Sequence, residues 1–89
     1  MHTVKLLEKK LVADGTMMFS FEKPEGFTYE SGMAVDYYLI NPSETDEEGN
    51  IRSFSLLSAP YEDKISFATR MRDTAFKRVL NKMSLNSEI

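Results

Sequence analysis

Cysteine and tryptophan are absent from these 89 residues, and histidine occurs once, at His2. Without cysteine there is no disulfide, no thiolate nucleophile and no cysteine-ligated zinc, so redox chemistry would have to belong to a cofactor. A lone histidine beside a terminus, where side chains are usually solvated, gives no Ser/His/Asp arrangement. Long apolar runs are also lacking: none approaches the roughly 20 residues needed to cross a bilayer. The opening Met1-His2-Thr3-Val4-Lys5 has neither the apolar stretch nor the cleavage site of a secretory leader. These absences give the expectation of a cytoplasmic chain without membrane insertion. Strong positive charge is missing too, since the net charge is −3, which disfavours general nucleic-acid binding. The length suits one domain, residues 1–89, with a core small enough that losing any element would be felt.

What charge there is lies unevenly. Residues 1–51 hold four Lys/Arg against ten Asp/Glu, whereas residues 52–82 hold seven against three. The positive half contains the most informative segment, Arg52-Ser53-Phe54-Ser55, followed eighteen residues after Arg52 by Arg70-Met71-Arg72-Asp73-Thr74. An arginine fork grips phosphate, an aromatic ring stacks on a flat heterocycle, and a helix start offers free amides to an anion. Together they describe a cradle for a ring with a phosphate tail. The bland alternatives are solvated cations for Arg52 and Arg70, a core aromatic for Phe54, and a helix-cap role for Thr74.

The chain reads as mainly β. Residues 3–13 form an amphipathic strand ending at Asp14-Gly15, a pair suited to a tight turn. The returning strand, Thr16 to Glu22, puts Met17, Phe19 and Phe21 on one face. Lys23-Pro24-Glu25-Gly26 breaks the pattern, and Phe27 to Gly32 reads as a loop. From Met33 to Ile40 both alternating faces are largely apolar, as in a strand inside a curled sheet. Asn41-Pro42 ends it, and Ser43 to Asn50 is an acidic loop whose carboxylates lack the alternation of a calcium loop. A strand from Ile51 to about Leu57 stops at Ser58-Ala59-Pro60, and another runs from Lys64 to about Met71. Asp73 is the expected N-cap of a helix carrying Phe76, Val79, Leu80 and Met83 at helical spacing and ending near Ser84.

At Arg52-Ser53-Phe54-Ser55 the chain resembles the FAD-binding domain of the ferredoxin-NADP reductase superfamily, in particular its bacterial flavin reductase-like oxidoreductases. That signature is Arg-x-Tyr/Phe-Ser on a barrel strand. Gly32 before the third strand, Asp46-Glu47-Glu48-Gly49-Asn50 leading into the motif and Ser58-Ala59-Pro60 after it extend the likeness. Phe67-Ala68-Thr69-Arg70-Met71-Arg72-Asp73-Thr74-Ala75-Phe76-Lys77 resembles the second FAD segment, so the resemblance spans essentially the whole chain.

The resemblance implies a small six-stranded antiparallel, Greek-key-like barrel with one short helix, holding FAD beside a separate NAD(P)-binding domain. It assigns Arg52 to the FAD phosphates, Phe54 to the isoalloxazine ring and Ser55 to the neighbourhood of flavin N5. Thr69, Arg70 and Met71 would line the ribityl or adenine side, and Thr74, Ala75 and Phe76 would meet the pyrophosphate. Strand alternation sends Ser55 to the face opposite Arg52 and Phe54, so a bulge would be needed for it to reach the ring. The expected chain is a flavin domain without its last barrel strand and without the NAD(P) domain, unable to oxidise NAD(P)H alone. It would be prone to dimerise through an unpaired strand edge. Two other classes stand beside it: a cofactor-free barrel fragment serving as a structural or protein-interaction module, and an oligonucleotide-binding barrel. The acidic first half argues against the latter.

Overall fold

Period-two alternation of large apolar residues drives the sheet, because only one side of each strand can reach a shared core. In a computed structural model, which describes residues 2–30, 32–59, 61–85 and 87–89, this yields five strands and one helix. They are β1 (Leu6–Ala13), β2 (Thr16–Glu22), β3 (Ala34–Tyr38), β4 (Ile51–Ser55), β5 (Lys64–Arg70) and α1 (Ala75–Lys82). Met1, Ser31 and Pro60, named above, lie outside the described residues. Strands β1, β2 and β5 form one antiparallel sheet in that order, and β3 pairs with β4 in a second.

The two sheets join at the segment after β4, where successive amides point opposite ways. Leu56 N donates to Met33 O (3.0 Å) and Leu57 N donates to Ser66 O (2.7 Å). One chain thus bonds first toward β3 and then toward β5, which turns a pair of sheets into a barrel wall. The buried Tyr29 fixes the corner by donating to Ala59 O at 2.8 Å while lying 2.9 Å from Ser58 Oγ. Ser58 Oγ in turn accepts from Ser66 N at 3.1 Å.

The core is aromatic. Phe19 and Phe21 of β2 and Phe67 of β5 are fully buried, and the Phe67 ring stacks parallel to Phe54 of β4 with centroids 4.1 Å apart. Tyr37 of β3 lies 4.7 Å from Phe67, and Phe19 5.6 Å from it, so one ring gathers side chains from three other strands and both sheets. The helix adds Phe76 and Leu80 to this cluster and packs Val79 and Met83 against it, at the expected spacing, while Ala75 is buried. Among the described residues no helix is long and apolar enough to cross a membrane.

The structure departs from the sequence reading in five places. All of β1 beyond Leu6 is exposed, with Leu7, Leu11 and Val12 in solvent, because the β1–β2 hairpin runs past the core and its register shifts twice. At its turn Gly15 takes a positive φ of 71° and Asp14 does not, so glycine alone carries the left-handed step. Strand β3 is shorter than expected and one-sided, with Tyr38 and Ile40 exposed. The helix cap is Thr74, whose Oγ1 accepts from Lys77 N, since Asp73 is drawn away to pair with Arg78. Where the last barrel strand was expected to be missing, one antiparallel bridge stands, Lys5 to Glu88, flanked by Val4 N donating to Ile89 O (3.1 Å) and Leu6 N to Ser87 O (2.8 Å).

Tyr37 is the one strained member of the core. Its hydroxyl is buried with no hydrogen-bond partner among the described residues, and burial, aided by Tyr29, pushes its phenol far above the ordinary range. An unpaired buried hydroxyl costs rather than contributes. We predict that Tyr37→Phe leaves urea stability unchanged or raises it by about 1 kcal/mol, whereas Phe67→Ala lowers it by about 3–5 kcal/mol. A large loss for Tyr37→Phe would show that the hydroxyl is satisfied.

Candidate functional site

The β4 motif and the start of α1 converge. Arg52 and Phe54 stand two residues apart on β4 and so share a face, as alternation requires, and both are half-buried. Thr69 and Arg70 end β5, and the turn after it delivers Arg72 and Thr74 to the helix start. These six residues line one cleft of about 450 Å³, together with Lys77 from the first turn of α1 and Glu48 from the acidic loop. That size lies within the usual range for small-molecule sites, about 300–1,000 Å³.

Five of the nine residues expected at the site are therefore brought together: Arg52, Phe54, Thr69, Arg70 and Thr74. Four are not among the cleft's lining. Ser55 pairs in regular register with Ala34, without a bulge, and its side chain points outward on the exposed face with Ser53. Met71 packs on the core instead, and Ala75 and Phe76 are buried. Ala75 still contributes through its backbone amide, and Phe76 lies beneath the Arg52 guanidinium, 5.2 Å from ring centroid to Cζ. Glu48 was not expected at the site, Arg72 lay in the basic segment without a role of its own, and Lys77 was read as solvated helix face and as the one lysine there that could reach a phosphate. For Lys77 the available signal was position, because the third residue of a helix faces back over the preceding turn.

The cleft is strongly cationic. Arg52, Arg70, Arg72 and Lys77 meet there against one carboxylate, Glu48. Lys77 Nζ donates to Arg70 O at 2.6 Å, and partial burial, then the charges of Arg72 and Arg52, hold its pKa below the usual lysine value. An arriving anion would relieve that crowding. The guanidiniums of Arg70 and Arg72 have no partner among the described residues. Arg52, by contrast, is already engaged: Nη1 donates to Glu48 O (3.0 Å) and Ile51 O (2.8 Å), and Nη2 donates to Glu48 Oε2 (2.8 Å). A second cleft of about 340 Å³, near His2, Phe27, Val35, Tyr37 and Ile89, has apolar walls and no Lys or Arg in its lining.

The acidic loop is fastened to the helix. Asp46 Oδ2 accepts from Ala75 N at 3.0 Å, while its Oδ1 accepts from Glu48 N at 3.0 Å in an Asx-turn. Gly49, with φ of 82°, closes the turn by donating to Asp46 O at 2.9 Å. Glu44 Oε1 accepts from Arg78 Nη2 at 2.7 Å, and Arg78 also bonds Asp73. The Ala75 and Glu48 amides hold the Asp46 carboxyl below its ordinary range, and the Arg78 hydrogen bond does the same for Glu44.

Carboxylates depressed in the folded state contribute stability above their ordinary values, 4.5 for Glu44 and 3.8 for Asp46, and lose it as pH falls through the lower folded values. We predict that the loop loosens from the helix below about pH 4, read as movement of the Ala75 amide resonance and a falling melting temperature. The Glu44→Gln/Asp46→Asn double variant should show a flatter acid limb. Parallel limbs in the two proteins would contradict the clamp.

No family model matches the chain. It is 30% identical over 67 residues to dual oxidase 1 of Canis lupus familiaris, a match covering 75% of this chain and 4% of that protein. Its structure matches the crystal structure of a ferredoxin NADP+ reductase from Neisseria gonorrhoeae with bound FAD and NADP, at a TM-score of 0.75 and 20% identity. That match covers 98% of this chain and 34% of the reductase, so the chain spans about a third of the solved protein and a small fraction of the oxidase. With the strand order and helix placement described above, these likenesses identify the architecture: the chain has the antiparallel barrel fold of the ferredoxin-NADP reductase FAD-binding domain.

Proposed function

We propose that this chain is the FAD-binding module of a flavin-dependent NAD(P)H oxidoreductase, with electrons passing through flavin N5. The observation that carries the reading is the meeting of Arg52, Phe54 and the helix start in one cationic cleft. The donor set fits a flavin dinucleotide, because guanidinium forks and a lysine suit phosphates and an aromatic wall suits a flat ring. Arg52, Arg70 and Lys77 would hold the phosphates, Phe54 would pack on the ring, and Thr69 and Thr74 would supply hydroxyls. Ser55, Met71, Ala75 and Phe76, the other residues named by the resemblance, would act less directly: Ala75 by its amide, Phe76 by supporting Arg52, Met71 by packing. Ser55 would reach the ring only after a local rearrangement of β4.

When bound, the flavin supplies the hydride and electron chemistry, which leaves the chain the tasks of binding, orientation and electrostatics. Nicotinamide binding would fall to a separate unit with its own glycine-rich turn, so these residues by themselves would not oxidise NAD(P)H. The reductase likeness, solved with FAD and NADP, supports that division. A cytoplasmic location is part of the same reading. A cofactor-free barrel acting as a structural or interaction module is the second reading, and one observation favours it: Arg52 and the Ala75 amide are already held by carboxylates.

Titration with FAD separates the two. Quenched flavin fluorescence that saturates, and an affinity weakened at least about thirtyfold in Arg52→Ala/Phe54→Ala, is the expected result. No saturable change, or equal binding by the double variant, would remove this cleft as a flavin site, and saturable NAD(P)H turnover by the isolated chain would contradict the division of labour. The exposed β1, with Leu7, Leu11 and Val12, suits edge pairing between two copies. Light scattering should then show a dimer at high concentration; a monomer at every concentration would contradict it.

A further inference from the structure

The acidic loop and the phosphate cradle make an exchangeable pair. Among the described residues the one cleft cation with a carboxylate hydrogen-bond partner, Arg52, takes it from this loop, and so does the helix-start amide next to Thr74: Glu48 Oε2 accepts from Arg52 Nη2, and Asp46 Oδ2 accepts from Ala75 N. The two carboxylates are held in step, because Glu48 N donates to Asp46 Oδ1 within the same turn. Glu47, between them, is exposed and enters neither contact. Two neighbouring carboxylates that meet an arginine and a helix-start amide supply the same chemistry as a diphosphate, acceptor oxygens and negative charge.

We propose that Glu48 is a specificity-determining residue of this cleft, an internal anion that a phosphate-bearing ligand must displace from Arg52 before it can bind. The proposal rests on the reading of the cleft as an FAD site, and it concerns the phosphate half of that ligand alone. A dianion has enough charge and acceptors to replace one carboxylate on Arg52 while also engaging Arg70, Arg72 and Lys77, cations that Glu48 alone does not neutralise. A ligand without phosphate gains nothing from the exchange and is indifferent to Glu48. The Glu48 side chain is 61% exposed against 21% for Arg52, so it can swing into water without unfolding the loop, which Asp46 and Glu44 keep fastened to α1. The exposure also limits the effect to that of a screened ion pair.

The test titrates FAD, riboflavin and inorganic pyrophosphate into the native chain, Glu48→Gln and Glu47→Gln, with circular dichroism to verify folding. Glu47→Gln removes the same charge from the same loop without touching Arg52. The expected result at low salt is FAD and pyrophosphate binding tightened about two- to fivefold in Glu48→Gln, with riboflavin unchanged and Glu47→Gln close to native. Equal or weaker FAD and pyrophosphate binding in Glu48→Gln overturns the proposal, as does equal tightening in Glu47→Gln, which would reduce the effect to net charge. If no flavin binds any form while pyrophosphate tightens in Glu48→Gln, the internal anion stands and the FAD reading falls. If FAD binds all three forms alike, the FAD reading stands and the internal anion falls. Absence of any binding to any form overturns both.

Discussion

The rest of the structure depends on the parallel stack of Phe54 on Phe67. With the backbone bonds of Leu56 and Leu57 it holds the β3–β4 pair against the β1–β2–β5 sheet, and Phe19, Phe21 and Tyr37 pack around the same Phe67 ring. Buried aromatic area contributes a few kcal/mol per ring, and offset or stacked pairs add roughly 1 kcal/mol more. In a domain this small, with a total stability of about 5–15 kcal/mol, that cluster is a large share of what keeps it folded. Phe54 serves two ends at once. One part of the ring closes the core, and the remainder lines the cationic cleft. Arg52, two residues earlier on the same face, is carried to the cleft by the same strand and braced from below by Phe76.

Electrostatics divides the molecule along the line visible in the residue order. The acidic first half supplies the loop, the basic second half supplies the cleft, and the fold brings them into contact. Asp46 on the Ala75 amide and Glu44 on Arg78 attach the loop to the helix. The arrangement stabilises the helix start, since negative charge near the first turn complements the macrodipole. On the proposed reading it also places carboxylates where a phosphate would go, which would make stability and anion affinity depend on the same residues.

Much of this was legible in the residues. Strand β2 was found to the residue because Met17, Phe19 and Phe21 alternate cleanly between a glycine turn and a proline break, and β5 ended one residue earlier than expected. Five residues of the site converged as the two motifs implied. What sequence could not give was long-range. Nothing local says that Asp46, twenty-nine residues away, would reach Ala75, or that Glu44 would reach Arg78; the Thr74 cap, by contrast, stood among the alternatives to Asp73. The outward course of the β1–β2 hairpin was missed for a like reason, because amphipathic strands look alike whether or not a second layer covers them. Ser55 shows the converse: alternation placed it on the far face, the family signature placed it at the ring, and the regular β3–β4 ladder follows alternation.

The most direct test of the central claim, that the Arg52–Phe54 cleft is the ligand site of this barrel, is amide mapping by two-dimensional NMR as FAD is added. The account predicts saturable shifts centred on Arg52, Phe54, Thr69, Arg70, Thr74 and Lys77, with the loop amides at Glu48 and Gly49 moving alongside them. Shifts confined to the apolar cleft around Phe27, Val35 and Ile89, or no saturable shift at all, would contradict it.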